Sequence, residues 1–323
     1  MSYGLSFKNG NEGKAIAIIK GGKLNNKVVY LVKNESGNDL SKSIDYDDIE
    51  EQMVKLKIKQ RDRVKIFVEL ETLFESGTKP EDVVSTEKHL KELYASCYQS
   101  KNNTTSLKLD IGSKFEILPS SDKKKSSRYY ICGMSECGKS YIAKQIIEQY
   151  NLFFPKRKIY VISKLKKDET LDSCKCKLTR INPDTFLDEI PTIEEFSNDG
   201  EGCLIVCDDY DNFKGKLGKI IQTFIDDICQ LGRHENISCV LCTHFLTNYA
   251  TSSIKLSECQ YYVIFPQGAT SKKLSYLLES YAGISDVNTK LIKSMGRWVL
   301  ISRCHPQYAI SESEILIFNQ KDN

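Results

Sequence analysis

The sequence lacks three features, and each absence excludes a class of protein. No apolar run approaches the roughly 18 residues of a transmembrane helix, so we expect no membrane segment. The first residues lack the basic-then-apolar pattern of a secretory signal, which predicts a protein that is not secreted. A large excess of positive or negative charge is also missing, because the net charge is only +3 in 323 residues. Contact with nucleic acid would therefore depend on a local basic patch.

The twelve cysteines are scattered along the chain. Several lie within apolar segments that are typical of buried strands, where a thiol packs as a small hydrophobic group. This usage favours an intracellular, reducing compartment over secretion.

The centre of the chain carries the pattern G-x-x-x-x-G-K-S at residues 133–140, between an apolar segment and a helical pattern. A tight turn permitted by glycine presents a concave row of backbone N–H groups that binds phosphates. Lys139 is predicted to reach the β- and γ-phosphates, and the Ser140 hydroxyl is predicted to ligate Mg²⁺. The residues predicted to bind the nucleotide are Gly133, Met134, Ser135, Glu136, Cys137, Gly138, Lys139, Ser140 and Tyr141.

A second motif follows downstream, where an apolar segment over residues 202–207 ends in two carboxylates. This is the pattern of a Walker B strand. Asp208 is predicted to hold Mg²⁺ through water, and Asp209 is predicted to orient the attacking water as a general base. Together, the two motifs predict an ATPase that uses ATP and Mg²⁺.

Three further residues are candidates for catalysis. Arg233 follows a helical segment, and it is interpreted either as an arginine finger for its own or a neighbouring subunit or as a cation favoured at a helix end. Thr243 and His244 end the next predicted strand. They are interpreted as a γ-phosphate sensor or water-positioning pair, or else as a polar pair that only completes the strand end.

Cys137 lies inside the phosphate-binding loop. Backbone donors and the following helix N-terminus are predicted to lower the pKa of its thiol. Inhibition of the ATPase by oxidants or alkylating agents would follow.

Hydrophobic periodicity divides the chain into two predicted domains. Residues 1–105 form an α+β N-terminal domain of unknown role, with a hairpin over residues 14–32 and helices within 46–99. Residues 106–323 form the P-loop ATPase domain, and residues 100–105 are the predicted linker.

In the second domain, strands alternate with helices, which predicts a mainly parallel sheet flanked by helices. A strand over residues 115–119 is predicted to begin this domain, and residues 297–303 and 315–318 are predicted to form a terminal antiparallel pair. Residues 156–180 are the most basic stretch of the chain. That stretch is interpreted either as a loop that contacts DNA or as a solvated edge.

Several segments in combination resemble the FtsK/HerA-type P-loop ATPases of large DNA viruses and virophages, which are associated with genome packaging. The segments are residues 133–140, 204–209, 232–237, 265–268 and 294–299. The resemblance implies a RecA-like P-loop NTPase fold with an additional strand, a homo-oligomeric ring, and ATP-driven movement of double-stranded DNA. Capsid or other virion proteins are candidate partners, and the expected location is the host cytoplasm, the virus factory or the virion.

Carried over by position, Asp209 takes the place that a catalytic Glu commonly holds, and Arg233 resembles the finger candidate. One departure concerns the sensor strand, which often ends in Gln in this superfamily but here ends in Thr243 and His244. Two other functions stay open: an ATP-dependent switch or virion assembly factor without translocation, and a P-loop kinase.

Overall fold

The computed structural model describes residues 2–9, 13–34, 46–76, 78, 82–83, 89–94, 105–197 and 200–318. The chain divides into two compact units. The first comprises Met1–Leu5 and Lys33–Leu107, and the second comprises Ser6–Val32 and Lys108–Asn323.

The bounds of the elements follow in chain order. The strands are β1 (Ser2–Ser6), β2 (Lys14–Lys20), β3 (Val28–Asn34), β4 (Ser106–Lys108), β5 (Lys114–Ile117), β6 (Arg128–Cys132), β7 (Ile159–Ser163), β8 (Thr179–Ile181), β9 (Leu204–Asp208), β10 (Ser238–Thr243), β11 (Tyr261–Ile264), β12 (Val299–Ser302), β13 (Tyr308–Ser311) and β14 (Glu314–Ile317). The α-helices are α1 (Tyr46–Lys55), α2 (Gln60–Glu75), α3 (Lys139–Phe153), α4 (Glu169–Asp172), α5 (Ile193–Ser197), α6 (Gly215–Leu231), α7 (Tyr249–Glu258), α8 (Ser271–Tyr276) and α9 (Asp286–Ser294).

Helices α1 and α2 of the first unit each bury one face. Ile49 and Met53 lie four residues apart on α1, as do Ile66 and Leu70 on α2, and all four are buried in one apolar core. This spacing places each pair on one side of its helix. Of the predicted third helical stretch over residues 85–98, residues 89–94 are helical. Its remaining residues, and residues 100–104 of the predicted linker, lie outside the described residues.

Strand β2 pairs antiparallel with β3, which confirms the predicted hairpin. On its other side β2 pairs antiparallel with β5, so β5 lies in this small sheet and not beside the parallel strands. The strand predicted over residues 115–119 is present as Lys114–Ile117, and it belongs to the second unit. Phe115 and Ile117 alternate as buried residues on β5, as a half-buried strand requires. Because of this pairing, Ser6–Val32 groups with the second unit. The domain division at residue 105 stays a prediction.

The strands of the second unit form a large sheet in the order β14-β13-β12-β11-β6-β10-β9-β7-β8. The six strands from β11 to β8 are parallel. Strand β10 therefore separates β6, which precedes the glycine-rich loop, from β9, which ends in Asp208. This is the additional strand that the resemblance implies.

Helices cover both faces of this sheet. Tyr130, Ile205 and Leu241 share one apolar cluster with the buried stripe of α6. Their neighbours in the strands point to the opposite face because side chains alternate, and α3 contacts β6, β9 and β10 there. The predicted fold class, a mainly parallel sheet flanked by helices, is confirmed.

The last three strands differ from the predicted terminal pair. β12 pairs antiparallel with β11 and β13, and β14 pairs with β13. The predicted pairing of residues 297–303 with 315–318 is wrong, because β13 lies between them. Every residue of β13 is buried, so it shows no alternation to mark it as a strand.

None of the helices in the described ranges has the length and apolar character required to cross a membrane.

Candidate active site

The two predicted motifs meet at one edge of the sheet. Parallel strands end at the same edge, and the backbone N–H of Gly133, just after β6, donates to the carbonyl of Thr243 at the end of β10 (3.1 Å). Ser163 at the end of β7 is in register with Asp208 at the end of β9. The loops that follow β6, β7, β9 and β10 therefore converge on a single site.

The loop over residues 133–138 has a conformation that depends on its glycines. Gly138 adopts a left-handed conformation, with φ = 115°, and caps α3. A methyl group on Gly133 would lie 2.6 Å from Sγ of Cys137 and 2.7 Å from Cδ2 of Phe265. A side chain at position 133 therefore cannot be accommodated without movement of these groups. Glu136 is also left-handed, and backbone of this kind occurs in the turns that form anion-binding nests.

Lys139 is the first residue of α3, and its side chain is buried over the loop. Nζ donates to the carbonyls of Gly133 (3.1 Å) and Met134 (3.3 Å). It also lies 3.7 Å from Oδ1 of Asp209. The ammonium is thus held between the loop and the second motif, where it can meet a phosphate bound to the loop.

Ser140 lies beside a carboxylate that the sequence analysis missed. Its hydroxyl donates to Oδ2 of Asp168 at 3.5 Å. Asp168 follows β7 and caps α4, accepting a bond from the N–H of Leu171. The capping role could have been recognised from the helix-start pattern, but the nearness to Ser140 depends on the order of the strands.

Asp208 is buried among other acids. Its Oδ2 accepts a hydrogen bond from Ser163 (3.3 Å). Burial, followed by the charges of Asp209 and Asp168, raises the pKa of Asp208 from 3.8 to about 6. An additional cation at this position would relieve the repulsion.

The residues present fit a hard divalent cation. Mg²⁺ takes oxygen ligands, and the site offers the Ser140 hydroxyl together with the carboxylates of Asp168, Asp208 and Asp209. Oδ1 of Asp209 is buried and accepts no hydrogen bond from any described residue. That oxygen is available for an ion or for water held by one.

His244 connects two carboxylates at the end of β10. Its Nε2 lies 3.6 Å from Oδ1 of Asp209, and its Nδ1 lies 3.3 Å from Oδ2 of Asp211. The same oxygen of Asp211 accepts the backbone N–H of His244 (3.1 Å), while Ser135 of the loop lies 3.4 Å from Nε2. His244 is therefore fixed within the site, and Asp211, which the sequence analysis did not single out, fixes it.

Thr243 is also at the site, but its hydroxyl already takes part in a hydrogen bond with the backbone. It accepts the backbone N–H of Phe245 (3.2 Å), and the side chain is buried. Its carbonyl supports the loop through Gly133. Of the predicted sensor pair, His244 is the residue whose side chain lies beside both the loop and Asp209.

Arg233 lies at the opposite edge of the sheet from the glycine-rich loop. It precedes β10 and lines a cavity of about 660 Å³ together with Ser127 and Arg128, at the start of β6. The six residues of β10 separate the two edges by roughly 16 Å at about 3.3 Å per residue. A finger role for Arg233 at the nucleotide of its own chain is therefore incompatible with this geometry.

The pKa of Cys137 is raised, and the expectation that it is lowered is wrong. Burial of the thiol outweighs the opposing effects of Lys139 and of the backbone N–H groups. The structure thus provides no activated thiolate to support the predicted sensitivity of Cys137 to oxidants.

The outer wall of the loop comes from the chain after β11. Phe265 contacts the Gly133 position, and a methyl on Gly268 would lie 2.9 Å from Sδ of Met134. On the other side, the Tyr141 hydroxyl accepts a hydrogen bond from Lys114 (2.9 Å). The sequence marked residues 265–268 only as part of the resemblance, without a role.

The basic stretch over residues 156–180 is divided between the two ends of β7. Lys156 and Arg157 precede the strand, while Lys164 and Lys166 follow it and line a groove of about 540 Å³. Arg180 forms an ion pair with Asp172 (2.5 Å). The stretch is therefore not a single loop, and its contact with DNA stays a prediction.

Comparisons with known proteins give a related sequence and several solved structures with partial similarity. No protein-family model matches the chain. Uncharacterized protein V3 of Sputnik virophage is 29% identical over 188 residues, which cover 57% of this chain and 74% of that protein.

Among solved structures, B204, the DNA-packaging ATPase from Sulfolobus turreted icosahedral virus, is 16% identical with a TM-score of 0.41, covering 60% of this chain and 97% of that one. The genome-packaging NTPase B204 of Sulfolobus turreted icosahedral virus 2, in complex with AMPPCP, is 16% identical with a TM-score of 0.42, covering 58% and 97%. The cytoplasmic domain of the type VII secretion ATPase EccC of Thermomonospora curvata is 14% identical with a TM-score of 0.43, covering 65% and 28%. Similarities at this level carry no argument about function.

Proposed function

We propose that this chain is a Mg²⁺-dependent ATPase that acts in an oligomeric ring and moves double-stranded DNA during viral genome packaging. One observation carries the enzymatic part: Lys139, Ser140, Asp208 and Asp209 come from two distant motifs and meet at one edge of the sheet. Phosphoryl transfer to water depends on positioning and charge stabilisation, and these residue types provide both.

Each residue has a defined task in this proposal. The loop N–H groups and Lys139 bind the phosphate chain. The phosphate oxygens then take the place of the carbonyls of Gly133 and Met134 as hydrogen-bond partners of Lys139. Asp209 accepts a proton from the attacking water, and His244, held by Asp211, fixes the orientation of Asp209. A bound Mg²⁺, held by Ser140 and Asp208 with Asp168 nearby, would neutralise charge on the phosphates.

The proposed movement of DNA and assembly into a ring are supported by different observations from the enzymatic part. The support is the resemblance to packaging ATPases described from the sequence, together with a related protein encoded by a virophage. The position of Arg233 agrees with a ring, because an arginine at the edge opposite its own site can serve only the site of a neighbour.

Steady-state hydrolysis of ATP by the purified protein tests the proposal. It should be measured with and without double-stranded DNA, with Mg²⁺ or EDTA, and with the oligomeric mass recorded in each condition. Lys139→Ala and Asp208→Ala should each reduce turnover by more than about 100-fold, since each removes charge stabilisation of the transition state. Stimulation by DNA in a ring-sized species is the expected result.

Other outcomes separate the remaining functions. Slow hydrolysis that ignores DNA, in a monomer, would contradict the motor and favour an ATP-dependent switch or assembly factor. A phosphorylated acceptor in place of free phosphate would identify a kinase. Hydrolysis that Lys139→Ala leaves intact would refute the assigned site.

A further inference from the structure

Strand register brings a second arginine to the phosphate-binding loop. β11 is parallel to β6, and Ile264 at its end pairs with Cys132, just before the loop. β12 runs in the opposite direction, so its first residue, Val299, pairs with Ile264. The residues that precede β12 therefore lie at the same edge of the sheet as the loop.

Arg297 occupies this position and reaches over the loop. A methyl group on Gly138 would lie 3.8 Å from Nη2 of Arg297. The two residues that flank the short turn before β12, Met295 and Trp298, are buried and hold the backbone in place. The Arg297 side chain itself is exposed, and within the described residues it forms no hydrogen bond or ion pair.

The field of this guanidinium already acts on the loop. Arg297 opposes the rise in the pKa of the Cys137 thiol, together with Lys139. Both cations therefore lie close enough to stabilise negative charge at the loop. A guanidinium presents a planar fork of N–H donors that fits phosphate oxygens, whereas an ammonium acts as a point charge.

We propose that Arg297 binds the phosphate chain of the nucleotide held by the loop of its own chain. The inference rests on the proposed function and deepens it, because it names a second cation of the site. Arg297 acts within the chain, whereas Arg233 lies at the opposite edge and would act on a neighbour.

Equilibrium binding of a fluorescent ATP analogue tests this role. Arg297→Ala should weaken binding by about 10- to 100-fold, the range expected when a charge-assisted hydrogen bond is lost. Arg297→Lys should recover part of the affinity, because it restores charge without the fork. Arg61→Ala is the matched control, since Arg61 is an exposed arginine on α2 of the first unit. All three variants should keep the wild-type melting temperature without nucleotide.

A mixing experiment distinguishes action within a chain from action between chains. If Arg297 serves its own loop, a mixture of Arg297→Ala and Lys139→Ala proteins contains no complete site. At an ATP concentration that does not saturate Arg297→Ala, hydrolysis by the mixture therefore stays low. Recovery of hydrolysis on mixing would overturn the inference, as would wild-type affinity of Arg297→Ala for the analogue.

Failure of the proposed function has a separate signature. Wild-type protein that neither binds nor hydrolyses the nucleotide, like Lys139→Ala, would refute the ATPase and the role of Arg297 with it. Wild-type protein that hydrolyses ATP beside an unaffected Arg297→Ala would refute only the role of Arg297.

Discussion

At the residue scale, the carboxylates of the site repel one another before any ligand binds. Asp208 is buried near Asp168 and Asp209, and its pKa is raised from 3.8 to about 6 as a result. Lys139 only partly compensates, because it also contacts the loop carbonyls. The site therefore gives up folding stability to hold acidic groups together, as catalytic sites commonly do.

Asp208→Asn should alter the pH dependence of stability. The folded-state pKa of Asp208 lies above the unfolded value, so the folded protein retains a proton that the unfolded chain loses. The stability contributed by this group is fully present below about pH 4 and is lost as the pH rises through about 6. The asparagine variant lacks this loss, so it should be more stable than wild type by on the order of 2 kcal/mol at pH 7 in EDTA.

Urea denaturation between pH 4 and 7 provides the measurement. Asp188→Asn, at an exposed position, is the control and should follow wild type at every pH. A difference between Asp208→Asn and wild type that does not change across this range would contradict the assigned environment of Asp208.

At the element scale, the loop between β6 and α3 depends on the absence of a side chain at position 133. Gly133→Ala places a methyl 2.6 Å from Sγ of Cys137 and 2.7 Å from Phe265. The loop must shift, and its N–H groups lose their alignment on the phosphates, so nucleotide affinity should fall by about 10-fold or more. Equilibrium nucleotide binding measures this loss.

The double variant Gly133→Ala/Cys137→Ala supplies the control for this prediction. Removal of Sγ relieves one of the two close contacts, so part of the lost affinity should return. Equal affinities of the single and double variants would show that the thiol does not constrain the loop.

Helix α6 holds one face of the sheet through a buried aromatic group. Phe224 is 2% exposed, and its ring centroid lies 5.1 Å from that of Phe186 and 5.4 Å from that of Phe196. Phe224→Ala should lower the free energy of unfolding by about 3–5 kcal/mol, because it removes apolar contacts and leaves a cavity. Leu231→Ala on the same helix should cost less than about 0.5 kcal/mol, since Leu231 is 52% exposed.

Chemical denaturation at pH 7 compares the two α6 variants. Similar losses of stability would contradict the assigned burial of Phe224.

At the scale of the whole molecule, Arg233 and Arg297 are predicted to act on different chains of the assembly. Arg233 lies at the edge opposite the loop, so it can complete a site only in a neighbouring chain. Arg233→Ala should keep the wild-type nucleotide affinity and lower turnover by about 10³-fold or more in the assembled state, the lower range reported for arginine fingers.

The mixing experiment has opposite expected results for Arg233 and Arg297. In a mixture of Arg233→Ala and Lys139→Ala chains, a site can combine the intact loop of one chain with the intact arginine of the other, so hydrolysis should partly recover. Turnover by Arg233→Ala that equals wild type in the assembled state would refute the finger role.

Local sequence was sufficient for the loop and its strand because the turn, the glycines and the lysine are contiguous. Gly133, Lys139 and Ser140 lie where the motif predicts, and Asp208 ends the strand predicted for it. Asp168 and Asp211 were missed because each meets a residue that is distant in the sequence, Ser140 and His244 respectively. The pKa of Cys137 was predicted in the wrong direction because burial cannot be judged from the position of a residue in a motif.

The sequence by itself determined the alternation of strands and helices and the two motifs, because hydrophobic period and turn chemistry are local properties. Only the tertiary structure decided which side chains meet. Insertion of β10 between β6 and β9 brings His244 to Asp209, and the antiparallel return of β12 brings Arg297 to the loop. It also placed Arg233 at the opposite edge. These outcomes depend on strand order, which is fixed by packing between residues far apart in the chain.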